Sequence, residues 1–166
     1  MNQSIASLVQ TLSEFLEKSS IKIALAESCT GGLLAAHLTA QAGSSLWFDR
    51  GFVTYSNASK TESIGVLSSI IEQYGAVSEE VAKAMAQGAL NHSAAKTSIA
   101  ITGIAGPGGA TENKPVGMVC FAWAVQFPGS PALLIASTQI FDGDRQAIRE
   151  QACAYALNEL IQILRK

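Results

Sequence analysis

The sequence predicts a single three-layer α/β/α domain with a mixed sheet, spanning residues 1–166. Short apolar runs typical of strands alternate with longer stretches whose apolar residues recur at helical spacing. The last two apolar runs are separated by only a short turn, which predicts an antiparallel hairpin beside the parallel strands. With 166 residues, 48% of them hydrophobic, the chain can bury one core and is too short for two full domains.

Helix and strand should alternate through the first part of the chain. The spacing of apolar residues predicts an amphipathic helix over the first twenty residues, and the apolar run at 21–26 predicts an internal strand. A helix at 31–40 and a strand at 48–54 follow. Gly51 interrupts this strand, so we expect either a bulge or a close backbone approach there.

The rest of the chain should add helices on the sheet and complete it with three strands. Ser56 or Asn57 is suited to cap a short helix, a further short helix is expected at 68–74, and Ser78 should start a helix that ends near Asn91. The remaining predicted elements are strands at 98–102, 117–125 and 133–140 and a long final helix capped within 142–144. Ligands should then bind at the carboxyl ends of the strands, where both glycine-rich loops fall.

Charge and cysteine content exclude several classes of protein. The net charge is -2 and the basic residues are scattered singly, which argues against nucleic acid as a partner. The three cysteines, Cys29, Cys120 and Cys153, are widely spaced and the chain starts without a secretory signal, so we expect a reduced, cytoplasmic protein. No apolar run approaches the ~20 residues needed to cross a membrane. His37 and His92 have no ligand spacing, so no metal is expected.

The stretch at 24–34 concentrates chemistry at one turn. It predicts a buried strand, a tight loop and a helix start, an arrangement that suits an anion or an oxyanion. The loop offers three adjacent nucleophiles, Ser28, Cys29 and Thr30. Cys29 is expected to be a small buried side chain without a chemical role. Thr30 is expected to cap the following helix.

A lysine is the best candidate to activate a serine in this chain. A neutral lysine can serve as the base when burial lowers its pKa, and Lys60 follows a predicted strand end. We expect the side chains of the turn at 55–57, including Tyr55 and Asn57, to orient its amine. The alternative for Lys60, a solvated helix lysine, is the more common outcome, and the ring of Tyr55 is equally suited to packing on the core.

Other polar residues near the loops are candidates for binding. Glu27 is expected to accept a hydrogen bond from the nucleophile loop or a substrate hydroxyl, with a solvated carboxylate as the alternative. Lys114 and Arg145 lie next to loops and are candidates to hold a phosphate. Arg145 lies in the first turn of a predicted helix, where a cation opposes the helix dipole, which indicates another role.

Seven motifs, in order along nearly the whole chain, resemble the CinA C-terminal domain family. Their order and coverage favour the stand-alone members, which are nicotinamide-nucleotide amidases. The motifs are Ala26-Glu27-Ser28-Cys29-Thr30-Gly31-Gly32; Gly43-Ser44-Ser45 with Trp47-Phe48; Arg50-Gly51-Phe52-Val53-Thr54-Tyr55-Ser56-Asn57 with Lys60; Gly75-Ala76-Val77-Ser78; Gly103-Ile104-Ala105-Gly106-Pro107; Lys114-Pro115-Val116-Gly117; and Gly143-Asp144-Arg145.

The resemblance implies hydrolysis of the carboxamide of nicotinamide mononucleotide (NMN) to nicotinic acid mononucleotide and ammonia. It implies a Ser–Lys dyad of Ser28 and Lys60, a homodimer, and no metal or organic cofactor. We add that backbone N–H groups near Thr30 and Gly31 should hold the oxyanion. The residues expected to bind substrate are Glu27, Gly32, Thr102, Gly103, Gly106 and Arg145.

The chain departs from the family pattern after the second glycine-rich loop. Some relatives carry an acidic residue there, where this chain has Gly108 and then Ala110. Some members of the family lack the amidase activity. The alternatives are therefore a catalytically weak nucleotide-binding protein with a regulatory or competence-related role, or an amidase acting on another nucleotide-like amide.

Overall fold

A computed structural model describes residues 3–166 and contains a five-stranded mixed sheet. The strand order is β2-β1-β3-β4-β5. Strand β1 pairs in parallel with β2 and β3, whereas β4 pairs antiparallel with β3 and β5. The mixed sheet and the antiparallel hairpin are therefore confirmed. The strands are β1 (Ile23–Glu27), β2 (Phe48–Val53), β3 (Thr97–Gly103), β4 (Met118–Val125) and β5 (Leu133–Ile140).

Helices cover both faces of this sheet, which confirms the three-layer prediction. One core cluster joins α1, α2 and α6 to one face, and a second joins α5 and parts of α3 and α4 to the other. No helix among residues 3–166 is long and apolar enough to span a bilayer. The helices are α1 (Ile5–Ser19), α2 (Leu33–Thr39), α3 (Asn57–Ile64), α4 (Ser68–Tyr74), α5 (Glu79–Asn91) and α6 (Arg145–Leu164), with a short 3-10 helix at Ser44–Leu46.

The expected helix starts are mostly correct because short polar side chains satisfy the first free N–H groups. The side chain of Ser56, one of the two candidates, accepts a hydrogen bond from the N–H of Ser59. Ser78 caps α5 through the N–H of Val81. Asp144, within the expected capping stretch, starts α6.

One local expectation was wrong, and another had the second of its two alternatives confirmed. Helix α2 begins at Leu33 after Gly32, which has a φ of 96° and no side chain to act as a cap, so Thr30 is not the cap. The bulge of β2 is not at Gly51, because the register skips a residue between the Ile23 and Ala24 pairs. Gly51 is instead a close-approach point, where a Cβ would lie 3.4 Å from that of Ala35.

The carboxyl ends of β1, β2 and β3 meet at one edge of the sheet, as expected for ligand binding. The Ser28 N–H extends the β1–β3 ladder by donating to the carbonyl of Ile101 at 2.9 Å. The Thr54 N–H likewise extends the β1–β2 ladder by donating to the carbonyl of Glu27 at 2.8 Å. The nucleophile loop is therefore held between its two neighbouring strands.

Candidate active site

The structure brings Ser28 and Lys60 into direct contact. Ser28 follows β1 immediately, and Lys60 lies in the first turn of α3, which starts just after β2. The distance from Lys60 Nζ to Ser28 Oγ is 3.2 Å. Residues 32 positions apart in the chain thus form a pair with the spacing required for proton transfer.

The surroundings of Lys60 favour a neutral amine. The side chain is 1% exposed, and no ion pair among residues 3–166 includes it. Burial lowers the pKa of Lys60 from its ordinary value of 10.5, because the charged form loses its hydration. The expected burial of Lys60 is therefore confirmed, and the solvated alternative is wrong.

Two backbone carbonyls orient the Lys60 amine. The Nζ donates to the carbonyl oxygens of Thr54 at 2.9 Å and Tyr55 at 3.4 Å. A neutral amine has two N–H donors and one lone pair, so these carbonyls use both donors and leave the lone pair for the Ser28 hydroxyl. The expected orientation by side chains at 55–57 is wrong, because the main chain performs it.

Glu27 has a different position from the one expected of a substrate contact. Its Oε2 accepts from the N–H groups of Gly32 and Leu34, both at 3.1 Å, and its Oε1 accepts from that of Ala35 at 2.9 Å. The side chain is buried. Glu27 therefore supplies the negative charge that caps α2, which confirms the expected role as an acceptor for the nucleophile loop, and the solvated alternative is wrong.

The free backbone donors beside Ser28 belong to Cys29 and Thr30. The N–H of Gly31 donates to the carbonyl of Ser28 at 3.0 Å, and that of Gly32 donates to Glu27. Gly31 and Gly32 were therefore wrong as oxyanion and substrate donors. Among the hydrogen bonds between different residues of 3–166, none uses the N–H of Cys29 or Thr30. Thr30 is completely buried, whereas Cys29 lines the cleft over Ser28, so the Cys29 N–H is the donor that remains available to an oxyanion.

Cys29 and Thr30 contribute their main chain, and their side chains face the protein interior. Cys29 is buried, as expected, and burial is the main cause that raises the pKa of its thiol to about 12. The Thr30 side chain is completely buried, and its Oγ1 has no hydrogen-bond partner in the described chain.

A cleft of about 250 Å³ opens over Ser28 and Lys60. Its walls include the nucleophile loop, the turn at 55–57, the segment at 76–77 and the second glycine-rich loop. Arg145 lies at its mouth, where Nη2 donates to the Tyr55 hydroxyl at 3.0 Å and Nη1 donates to the Gly106 carbonyl at 2.8 Å. Tyr55 thus spans the mouth of the cleft and does not pack on the core, since it is 59% exposed. Asn57 also lines the cleft without a hydrogen bond to Lys60.

The second glycine-rich loop forms one wall of the cleft. The Thr102 hydroxyl donates to the Ala76 carbonyl at 2.8 Å and so ties β3 to the opposite wall. Neither Gly103 nor Gly106 leaves room for a side chain. A Cβ at Gly103 would lie 2.8 Å from the side chain of Val119, and a Cβ at Gly106 would lie 2.6 Å from that of Val116. These three predicted binding residues therefore shape the cleft.

Two basic residues differ from the prediction. Lys114 is not part of the cleft lining, since its Nζ donates to the carbonyl of Tyr74 at 2.9 Å. Arg149, which the sequence argument missed, donates from Nη2 to the Thr30 carbonyl at 2.8 Å. Its spacing of four residues from Arg145 places both on one face of α6 and was a usable signal.

The arrangement is suited to acyl transfer without a metal. A buried serine hydroxyl contacts an amine held as a base, the backbone N–H of Cys29 is free beside it, and a cation stands at the mouth of the cleft. Among residues 3–166, no three His, Cys, Asp or Glu side chains are grouped closely enough to hold a metal ion.

Comparison with known proteins gives a family-level match over nearly the whole chain. Residues 5–164 match the CinA C-terminal domain family model. The nicotinamide-nucleotide amidohydrolase PncC of Enterobacter agglomerans is 49% identical over 140 residues, covering 84% of this chain and 83% of that protein. A CinA-like protein of Mycolicibacterium paratuberculosis is 52% identical over 143 residues, and these cover 86% of this chain but only 33% of that protein. The crystal structure of the competence/damage inducible protein CihA of Agrobacterium tumefaciens matches with a TM-score of 0.89 and 39% identity, with 100% of both chains covered.

Proposed function

Because the chain belongs to the CinA C-terminal domain family, we propose that it hydrolyses the carboxamide of NMN with Ser28 as nucleophile and Lys60 as base. The amidase activity follows the similar stand-alone nicotinamide-nucleotide amidohydrolases. The observation that carries the dyad is the 3.2 Å contact between Ser28 Oγ and a buried lysine amine without an ion partner.

The reaction proceeds through an acyl-enzyme. Lys60 takes the hydroxyl proton as Ser28 Oγ attacks the carboxamide carbon, and the N–H of Cys29 stabilises the oxyanion. The Lys60 ammonium then gives its proton to the departing nitrogen, and ammonia leaves. Lys60 next takes a proton from water, whose oxygen attacks the acyl carbon. Return of that proton to Ser28 Oγ releases nicotinic acid mononucleotide.

The phosphate of NMN is assigned to the mouth of the cleft. Arg145 is the cation there, and its guanidinium already bridges Tyr55 and Gly106. An arginine fork suits a phosphate because it offers several donors in one plane. Gly108, at the position where some relatives carry an acidic residue, also lines the cleft and leaves room for the ribose phosphate.

Ammonia release from NMN tests this function directly. The natural protein should release ammonia without added metal, and Ser28→Ala and Lys60→Ala should both lose the activity. Unchanged release in both variants would refute the dyad. A natural protein that binds NMN but releases none would favour the regulatory nucleotide-binding alternative, and release from a different nucleotide amide alone would change the substrate.

The family resemblance also supports a homodimer that acts in the cytoplasm. Apolar side chains that a partner copy would cover are exposed on the protein, among them Leu46 at 66% and Leu67 at 62%. Light scattering at the protein concentration used in the assay tests the dimer. If the protein is a monomer at a concentration where it hydrolyses NMN at its full rate, the dimer is refuted.

A further inference from the structure

Arg149 places a guanidinium against the nucleophile loop, one helical turn after Arg145 on the same face of α6. Its Nη2 donates to the Thr30 carbonyl at 2.8 Å, and its Nη1 donates to Gln146 Oε1 at 3.0 Å. The Nε is buried and has no partner in the described chain. Hydrogen bonds with a charged donor are stronger than neutral ones, so this contact polarises the Thr30 carbonyl, which also accepts from the Leu33 N–H at 3.0 Å.

A chain of hydrogen bonds connects this carbonyl to the donor beside Ser28. The Thr30 carbonyl and the Gly31 N–H belong to one peptide group, and that N–H donates to the Ser28 carbonyl at 3.0 Å. The Ser28 carbonyl and the Cys29 N–H belong to the next peptide group of the relay. Each bond polarises the following peptide, so a positive charge at Thr30 makes the free Cys29 N–H a stronger donor.

We propose that Arg149 is a positioning residue that polarises the Cys29 N–H, through the Thr30 and Ser28 carbonyls, toward the oxyanion of the tetrahedral intermediate. The inference rests on the proposed function, because it requires Ser28 to be the attacking group. The residue after a nucleophilic serine is a common source of an oxyanion donor, so the relay ends at the position where the charge develops.

The charges near the loop act in the direction that this proposal requires. The Glu27 carboxylate accepts hydrogen bonds at the start of α2, next to the nucleophile loop. Burial is the largest influence on the pKa of the Cys29 thiol and raises it; the backbone N–H of Cys29 comes next and lowers it, Glu27 raises it, and Arg149 and then Arg145 lower it. A negative group at this position is therefore favoured by the Cys29 N–H and by Arg149, and disfavoured by Glu27.

A series at position 149 separates charge from simple anchoring. Arg149→Lys keeps a positive charge, Arg149→Gln keeps a neutral donor, and Arg149→Met keeps only an apolar side chain. For NMN hydrolysis we expect kcat to fall about tenfold in Arg149→Gln and further in Arg149→Met, because a weakened oxyanion donor costs less than a deleted one. The KM should stay within about twofold, and Arg149→Lys should keep kcat within about threefold.

The matched control is Arg50→Gln. Arg50 is an arginine on edge strand β2 paired with Asp49, and its replacement should leave kcat unchanged. A kcat of Arg149→Gln within twofold of the natural value, or kcat losses that follow the melting temperatures of the series, overturns the inference. Ammonia release that survives Ser28→Ala overturns the proposed function instead, so the two failures are distinguishable.

Discussion

Replacement of Lys60 by methionine should abolish catalysis while leaving the protein folded. Methionine fills a similar volume without a base, and loss of one member of a catalytic dyad typically lowers kcat by a thousandfold or more, about 4 kcal/mol of transition-state stabilisation. The unfolding free energy should change by no more than about 2 kcal/mol. The variant loses hydrogen bonds to the carbonyls of Thr54 and Tyr55 but no longer buries an amine.

The pH dependence of this variant gives a second readout. The pKa of Lys60 is lowered in the folded protein, so between that value and 10.5 the unfolded chain binds more protons than the folded one. The contribution of Lys60 to stability therefore rises with pH across this window and is constant below it. The difference in unfolding free energy between the natural protein and the Lys60→Met variant, measured by urea titration, should show this rise. The kcat/KM of the natural protein should rise with pH through the same lowered pKa, because only the neutral amine is a base.

Lys83→Met is the matched control, because Lys83 is exposed on α5 and outside the cleft. It should retain full activity and show no pH-dependent change in stability. The reasoning is refuted if Lys60→Met keeps more than about a tenth of the natural kcat, or if the stability difference between it and the natural protein does not depend on pH above neutrality.

Three further changes test separate parts of the structure. Glu27→Gln removes the charge that caps α2 and should lower the unfolding free energy by about 1–2 kcal/mol in urea titrations; an unchanged value would contradict the capping role. Gly117→Ala, at a φ of 91° and with a Cβ that would overlap the Phe141 carbonyl oxygen, should cost more than about 2 kcal/mol, and a stable alanine variant would rule out that contact. Arg145→Gln should raise the KM for NMN about tenfold or more with a smaller effect on kcat, and an equal KM would remove Arg145 from the phosphate site.

The alternation of apolar runs predicted the layers and the hairpin, because these depend on patterns within each segment. The pairing of Ser28 with Lys60 was implied by the family resemblance. Ser28 and Lys60 were identifiable because a serine in a strand-to-helix turn and a lysine after the next strand end are both visible in the sequence. Their distance was not, since it depends on which strands become neighbours. The parallel pairing of β1 with β2 supplies it.

Several errors concern hydrogen bonds of the main chain within loops. The Thr54 and Tyr55 carbonyls orient the amine in place of side chains at 55–57, and the Gly31 N–H, expected at the oxyanion, bonds within the turn. At the start of α2 the Glu27 carboxylate replaces the side-chain cap that Gly32 lacks. Hydrogen bonds of the backbone within loops have no sequence signature, so sequence reasoning could not distinguish these assignments.

Lys60, the proposed base, is held by the residues that follow an edge strand. The carbonyls that hold the Lys60 amine follow β2, which has only β1 as a neighbour, and a single bond from the Thr54 N–H to the Glu27 carbonyl closes the end of that pairing. Edge strands fray before the middle of a sheet opens. Heating should therefore separate the Lys60 amine from the Ser28 hydroxyl while the helices on both faces of the sheet are still folded. Inactivation would then begin below the melting temperature, together with faster deuterium exchange at the Thr54 amide.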